Sequence, residues 1–260
     1  MARFCPLFSG SSGNCLYIGT STSAILIDAG VSARRITKAL ADREIDPAVI
    51  RAIFVTHEHT DHISGLRVLQ KQYHIPIYAS RGTCEGIEEA GAYHDEYAIM
   101  RDTVELDDFS VTAFPTSHDS RESTGFRVAI RDGRTVGVAT DLGVMTSPVR
   151  EQLKGCDLIH IESNHDVRML ENGHYPYVLK RRILSATGHL SNEACAAELP
   201  EFIRHGTTRL FLGHLSRENN LPSLADATAD AALQTCCMTR NVDYILHVAS
   251  PENDKPYILF

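Results

Sequence analysis

The sequence lacks the features that would direct a chain into an oxidising compartment or a membrane. Its 7 cysteines are an odd number, and none has the Cys-x-x-Cys spacing of a thiolate zinc site. We therefore expect neither a disulfide framework nor a cysteine-based metal cluster. No apolar run approaches the roughly 18 residues of a membrane helix, and residues 1–10 lack the apolar core of a secretory signal. A cytoplasmic protein without membrane attachment is the prediction.

A net positive charge is also absent. The chain carries 25 Lys and Arg against 33 Asp and Glu, a formal net charge of −8, so no global field would draw it onto DNA or acidic lipid. A nucleic-acid substrate is not excluded, because bound cations can dominate a site that the protein leaves negative. Arg121, Arg127 and the run Lys180–Arg182 are candidate local contacts, although such runs are usually solvated helix faces.

No repeat, low-complexity run or linker divides the sequence, so we predict one domain over residues 1–260. Short apolar and β-branched runs alternate with stretches of helical spacing. The order predicts the α/β class and, more specifically, two sheets packed face to face with helices outside, an αββα sandwich. The predicted strands are 4–8, 15–19, 24–28, 50–55, 77–79, 110–114, 125–130, 135–139, 158–162, 209–212 and 244–248, and the predicted helices are 32–41, 63–72, 148–153, 177–184, 192–204 and 223–238.

Histidine is abundant, and its placement indicates a metal site. Four potential ligands, His57, His59, Asp61 and His62, lie between a predicted strand and a predicted helix. Burying several imidazoles and a carboxylate without partners would cost a few kcal/mol each. A metal removes that cost, because neutral imidazole and carboxylate are the usual ligands of zinc, manganese and iron. A cluster of surface histidines is the alternative, and the strand–loop–helix setting argues against it.

The order His-x-His-x-Asp-His after an apolar strand resembles the signature of the metallo-β-lactamase superfamily. The other elements of that pattern occur in sequence order: an aspartate ending an early strand, a histidine ending a mid-chain strand, an aspartate after a strand and a last histidine after a late strand. In this chain they are Asp28, His118, Asp141 and His214. The resemblance therefore extends from residue 28 to residue 214.

The resemblance implies a pair of divalent cations, zinc or manganese, with iron as a further option. The first would have three histidine ligands and the second two histidines and an aspartate, with another aspartate bridging them. The first set is His57, His59 and His118, the second set is Asp61, His62 and His214, and the bridge is Asp141. Asp28 would lie behind the histidine loop and steady it.

A ligand set without cysteine and with a bridging aspartate resembles the phosphodiesterase and glyoxalase branches of the superfamily. Two cations about 3.5–4 Å apart stabilise both the attacking and the leaving oxygen of a phosphoryl transfer. The resemblance implies a metal-bridging hydroxide as the nucleophile. It also implies that His189 donates a proton to the leaving oxygen and is oriented by Glu162, with Asp61 as the third catalytic residue. A surface histidine at a helix start is the alternative for His189.

The segments 9–14, 162–166, 188–192 and 212–216 resemble the YycJ/WalJ type of small bacterial metallo-hydrolase. That type is associated with 5′-to-3′ exonuclease activity on DNA and a suggested part in DNA repair. The resemblance implies a phosphodiesterase acting on DNA or RNA ends. The loop that contains Ser11 and Asn14 would present backbone N–H groups to a phosphate. Asn164 and His165 would contact substrate at the rim of the site. A tight hairpin turn and an internally satisfied loop are the respective alternatives.

Two other functions fit the same residues. One is a small-molecule hydrolase, either a glyoxalase II-like thioesterase or a cyclic phosphodiesterase. The other is a non-catalytic module that binds metal or a phosphorylated ligand. The full ligand set together with a candidate proton donor favours catalysis. The sequence does not indicate an oligomeric state.

Overall fold

The computed structural model describes residues 1–260 and contains two seven-stranded sheets. The first sheet consists of β1 (Arg3–Phe8), β2 (Cys15–Gly19), β3 (Ala24–Ile27), β4 (Ile50–Phe54), β5 (Ile77–Ala79) and β6 (Tyr97–Ile99), with the C-terminal β14 (Ile258–Leu259) paired to β1. The second consists of β7 (Thr103–Glu105), β8 (Phe109–Pro115), β9 (Thr124–Ile130), β10 (Thr135–Ala139), β11 (Leu158–Glu162), β12 (Arg209–Gly213) and β13 (Ile245–Val248).

Nine α-helices and one turn of 3-10 helix (Pro47–Val49) connect the strands. The helices are α1 (Ala33–Ala41), α2 (Thr60–Ile63), α3 (Leu66–Tyr73), α4 (Arg81–Glu89), α5 (Ser147–Leu153), α6 (Val167–Asn172), α7 (Tyr177–Ile183), α8 (Asn192–Arg204) and α9 (Pro222–Thr235). No helix is both long enough and apolar enough to cross a membrane.

Strand direction brings the polar strand ends together. β3 to β6 run parallel in the first sheet, and β10 to β13 run parallel in the second. The carboxyl ends of parallel strands share one edge of a sheet, where α/β proteins place their ligand sites. The loops after β3, β4, β10, β11 and β12 therefore meet at one end of the sandwich, and they carry the predicted ligands.

The hydrophobic core forms three layers. Alternate residues of the central strands face inward, and Ile27, Phe54 and Phe126 belong to the cluster between the sheets. Leu26 faces the other way, into a cluster with α1, α3 and α4, and Ile159 packs against α5, α8 and α9. Strands buried on both faces are apolar along their whole length, as parallel strands in α/β proteins are. The αββα sandwich predicted from the sequence is confirmed.

Some boundaries predicted from the sequence are wrong. The single helix expected over 63–72 is two helices, α2 and α3, because the chain bends at Gly65. A Cβ atom there would lie 2.4 Å from the carbonyl oxygen of Val31, so only glycine allows this close approach. The helix expected over 223–238 ends at Thr235. The sequence patterns missed the helices α4 and α6. They also missed the short strands β6, β7 and β14, because two or three residues are too few to show a period.

Candidate active site

Three site residues take an unusual backbone conformation just after parallel strands end. Asp28 follows β3, Asp141 follows β10 and His214 follows β12, with φ of 62°, 55° and 53°. Non-glycine residues rarely enter this left-handed region, although aspartate and histidine do so more readily than most. Such residues cluster at functional sites, where the surrounding structure holds them in place.

The first cluster of potential ligands contains only histidines. His57, His59 and His118 each offer a ring nitrogen, and these atoms lie within 4.8 Å of one another. The Nε2 atom of His57 is 3.0 Å from Nδ1 of His59. His118 Nδ1 lies 3.1 Å from the carbonyl oxygen of Gly188. Because a carbonyl can only accept, Nδ1 carries the proton and Nε2 is left free to bind a metal.

The second cluster contains a carboxylate as well as two histidines. Asp61, His62 and His214 bring their ligand atoms within 4.8 Å of one another. Behind them, Asp28 Oδ2 lies 2.8 Å from His62 Nδ1, while the backbone N–H of Thr56 donates to Asp28 Oδ1 at 2.8 Å. The buried carboxylate therefore fixes the ring so that His62 Nε2 faces the cluster, which is the position predicted for Asp28.

Asp141 lies between the two clusters. Its Oδ2 is 3.4 Å from His62 Nε2 and its Oδ1 is 3.9 Å from His118 Nε2. Both Asp141 Oδ2 and His214 Nε2 are buried and have no hydrogen-bond partner. An unpaired buried carboxylate oxygen is costly, and a cation bound here would satisfy both atoms. The residues present therefore fit divalent metal ions.

Glu162 joins the second cluster to His189. It is fully buried at the end of β11, and its Oε1 lies 2.7 Å from His214 Nδ1 and 2.8 Å from His189 Nδ1. Its Oε2 accepts hydrogen bonds from the backbone N–H groups of Leu142, at 2.9 Å, and Leu190, at 3.1 Å. Glu162 is thus held on both oxygens, and it orients both imidazoles.

The charge environment differs from one imidazole to the next. Burial lowers the pKa of His57 well below its ordinary value, and the neighbouring imidazoles lower it further. Burial also disfavours the charged form of His62, but Asp28 and the other carboxylates outweigh it and raise the pKa to about 9. The pKa of His214 is likewise raised despite its burial. His189 and His214 together hold the pKa of Glu162 below its usual range against the effect of burial.

The clusters open into a pocket of about 230 Å³. Ser11 and Asn164, two of the predicted substrate contacts, line this pocket. Tyr175, which precedes α7, and Leu179 and Arg182 of α7 form one of its walls. Asn164 also donates to the carbonyl oxygen of His214 at 2.8 Å. The loop that follows β11 is therefore part of the pocket rim.

Two predicted substrate contacts need correction. Asn14 and His165 are 5% and 1% exposed and do not line the pocket. The Oδ1 atom of Asn14 accepts the N–H of Gly10, and its Nδ2 lies 3.1 Å from His62 Nε2. The backbone of His165 forms a bridge with Ser191. Both residues lie behind the pocket surface, because their loops fold inward to support the ligand loops.

The structure also separates the basic candidates. Arg121 pairs with a glutamate of α4, Arg127 donates to carbonyl oxygens at the end of α5, and Lys180 donates to carbonyl oxygens at the end of α6. The guanidinium of Arg181 lies 5.9 Å from the ring centre of Tyr177. Arg182 lines the pocket, and its partner, Asp119, was missed because a single aspartate after His118 has no motif.

The fold and the ligand clusters define a metallo-β-lactamase-type protein that binds divalent metal. Residues 23–214 match the family model described as the β-lactamase superfamily domain. The exodeoxyribonuclease WalJ of Streptococcus pneumoniae is 35% identical over 260 residues, which cover 98% of this chain and 96% of that protein. The exodeoxyribonuclease YycJ of Bacillus anthracis is 37% identical over 236 residues, 89% of each.

The solved structures agree on the fold. The metallo-β-lactamase fold protein YhfI from Bacillus subtilis aligns with a TM-score of 0.73 at 17% identity and covers 97% of this chain and 98% of that one. The chain belongs to the β-lactamase superfamily and, within it, to the family that includes WalJ and YycJ.

Proposed function

We propose that this protein is a metal-dependent exodeoxyribonuclease that hydrolyses DNA from its ends in the 5′-to-3′ direction. The observation that carries the proposal is the Glu162–His189 pair beside the two ligand clusters joined by Asp141. The relatives at 35% and 37% identity carry the name exodeoxyribonuclease, and they align over nearly the whole chain. An RNA end is the nearest alternative substrate, since the same phosphodiester chemistry applies.

Two divalent cations, zinc or manganese, are the proposed cofactor. The first cluster would hold one ion, the second cluster the other, and Asp141 would contact both. When bound, a pair of cations supplies positive charge for the phosphoryl oxygens and lowers the pKa of water toward neutrality. Asp61, at the mouth of the second cluster, is 28% exposed and lines the pocket, so it would hold the second ion and orient the incoming water.

His189 is the proposed proton donor. Glu162 accepts a hydrogen bond from Nδ1–H, so the imidazolium form of His189 would donate the proton on Nε2 to the leaving oxygen and become a neutral ring. As the proton leaves, the bond to the buried carboxylate stabilises the imidazole in one orientation. The side chain lines the pocket, which is where the leaving oxygen must lie.

The test is a substrate panel with purified protein and defined metals. With Mn²⁺ or Zn²⁺, we expect single-stranded DNA that carries a 5′ label to release that label early, as a mononucleotide. The same strand with a 3′ label should release its label only late in the digestion. Bis(p-nitrophenyl) phosphate should be cleaved more slowly. Intact DNA and RNA together with cleavage of lactoylglutathione or a cyclic nucleotide would instead identify a small-molecule hydrolase.

The substitution His189→Ala separates an enzyme from a binding module. A lost proton donor lowers kcat by roughly 10² to 10⁴-fold, while the bound metal, measured by elemental analysis, stays the same. His205→Ala is the matched control, because His205 is exposed at the end of α8. Unchanged turnover in His189→Ala would contradict the assigned role.

A further inference from the structure

Arg182 is the only lysine or arginine among the residues that line the pocket. The helix α7 carries three consecutive cations, but Lys180 is tied to the carbonyl oxygens of Glu171 and Gly173. Arg182 instead lies on the face of α7 that borders the pocket and the two ligand clusters. A pocket rich in aspartate and histidine therefore receives one fixed positive charge from the protein itself.

Asp119 holds that charge in place. The Nε and Nη2 atoms of Arg182 both donate to the Asp119 carboxylate, the second at 2.9 Å. A guanidinium has five N–H donors, so this pair leaves three unused, including both on Nη1. Asp119 directly follows the ligand His118, and its Oδ1 is 3.4 Å from His118 Nε2. The bidentate pair thus fixes the guanidinium beside the first cluster and leaves three of its N–H groups for a ligand.

We propose that Arg182 binds a phosphate group of the nucleic-acid substrate and that Asp119 is its positioning residue. The inference rests on the proposed function and deepens it. A guanidinium matches two phosphate oxygens at once and stays charged at every relevant pH. Leu179, one turn earlier in α7, and Ile183, the next residue, line the same wall, so an apolar surface for the nucleoside lies next to the phosphate contact.

The bound phosphate could be the scissile group or the terminal 5′-phosphate, and three substrates distinguish them. Arg182→Gln is compared with wild type on 5′-phosphorylated DNA, the same strand with a 5′-hydroxyl, and bis(p-nitrophenyl) phosphate. Loss of a charged hydrogen-bond pair costs roughly 10- to 100-fold. For the terminal phosphate, KM rises only on 5′-phosphorylated DNA. For the scissile phosphate, kcat/KM falls on all three substrates.

Three further proteins complete the experiment. Arg131→Gln removes the same charge from an exposed position after β9, at the end of the sheet away from His118, and should behave as wild type. Arg182→Lys keeps the charge but not the paired donors, so it should restore only part of the affinity. Asp119→Asn should shift the substrate preference in the same direction as Arg182→Gln with an unchanged metal content.

The inference is overturned if Arg182→Gln keeps wild-type KM and kcat on all three substrates, or if its losses only follow a loss of bound metal. If wild type cleaves neither DNA nor the small diester, the proposed function fails and this inference falls with it. Wild-type cleavage with an indifferent Arg182→Gln makes the inference fail alone.

Discussion

The two ligand clusters differ in what surrounds their imidazoles. The cluster of His57, His59 and His118 has imidazole neighbours and a backbone carbonyl behind one ring. The cluster of Asp61, His62 and His214 has a buried carboxylate behind each ring, since Asp28 contacts one and Glu162 the other. Imidazoles packed together favour the neutral form, whereas carboxylates favour the charged form.

This difference shows two ways of making a buried ligand set compatible with folding. In the first cluster the pKa values of His57 and His118 are lowered, chiefly by burial, so the rings are ready to bind a metal at neutral pH. In the second cluster protons on His62 and His214 offset the carboxylates until a cation replaces them. Asp141 lies near both clusters, so its negative charge acts on both and links them.

The largest expected effect comes from breaking that link. Asp141→Asn removes the shared charge but keeps a side chain that tolerates the left-handed backbone at φ 55°. Substitutions behind the ligands of a metal site already cost up to about 100-fold, so we expect a greater loss of activity here. Metal content, measured after dialysis at limiting free metal, should fall in the same protein.

Thermal unfolding provides the control for Asp141→Asn. Without metal, the variant should unfold in the same cooperative transition as wild type, so that a loss of metal or of activity reports the missing charge and not a failure to fold. Retention of two ions and full activity would rule out a bridging role for Asp141.

The second-largest expected effect is a loss of metal affinity that differs between the two clusters. Asp28→Asn weakens the support behind His62 and should lower metal affinity by roughly 10- to 100-fold, with the first cluster less affected. Competition with a chromophoric chelator measures both sites. Asp157→Asn is the control, since this carboxylate supports Thr135 at the opposite end of β11. Equal weakening at both sites would contradict the separate roles of the clusters.

The sequence predicted the sandwich, and it singled out the ligand candidates that the structure brings together, because both depend on local patterns. Apolar runs mark strands that are buried on both faces, and the ligands follow those strands in a fixed order. The sequence could not predict contacts between distant segments. The pairing of Arg182 with Asp119 and the inward folding of Asn14 and His165 depend on how loops pack, for which one sequence has no periodic signal. Gly65 shows the same limit, since the neighbour that requires glycine is Val31.

The smallest effect is the pH dependence of metal binding, and it tests the comparison directly. In the metal-free protein the pKa of His62 is about 9, so a metal must displace its proton below that pH. The pKa of His214 is raised as well, so affinity at the second cluster should rise with pH by about tenfold per unit for each proton displaced. The first cluster should stay nearly flat above pH 7, because burial keeps His57 neutral. Calorimetry in buffers of different ionisation enthalpy counts the protons released when metal binds at each site. Equal proton release at both sites would show that the carboxylates behind the second cluster do not set its protonation.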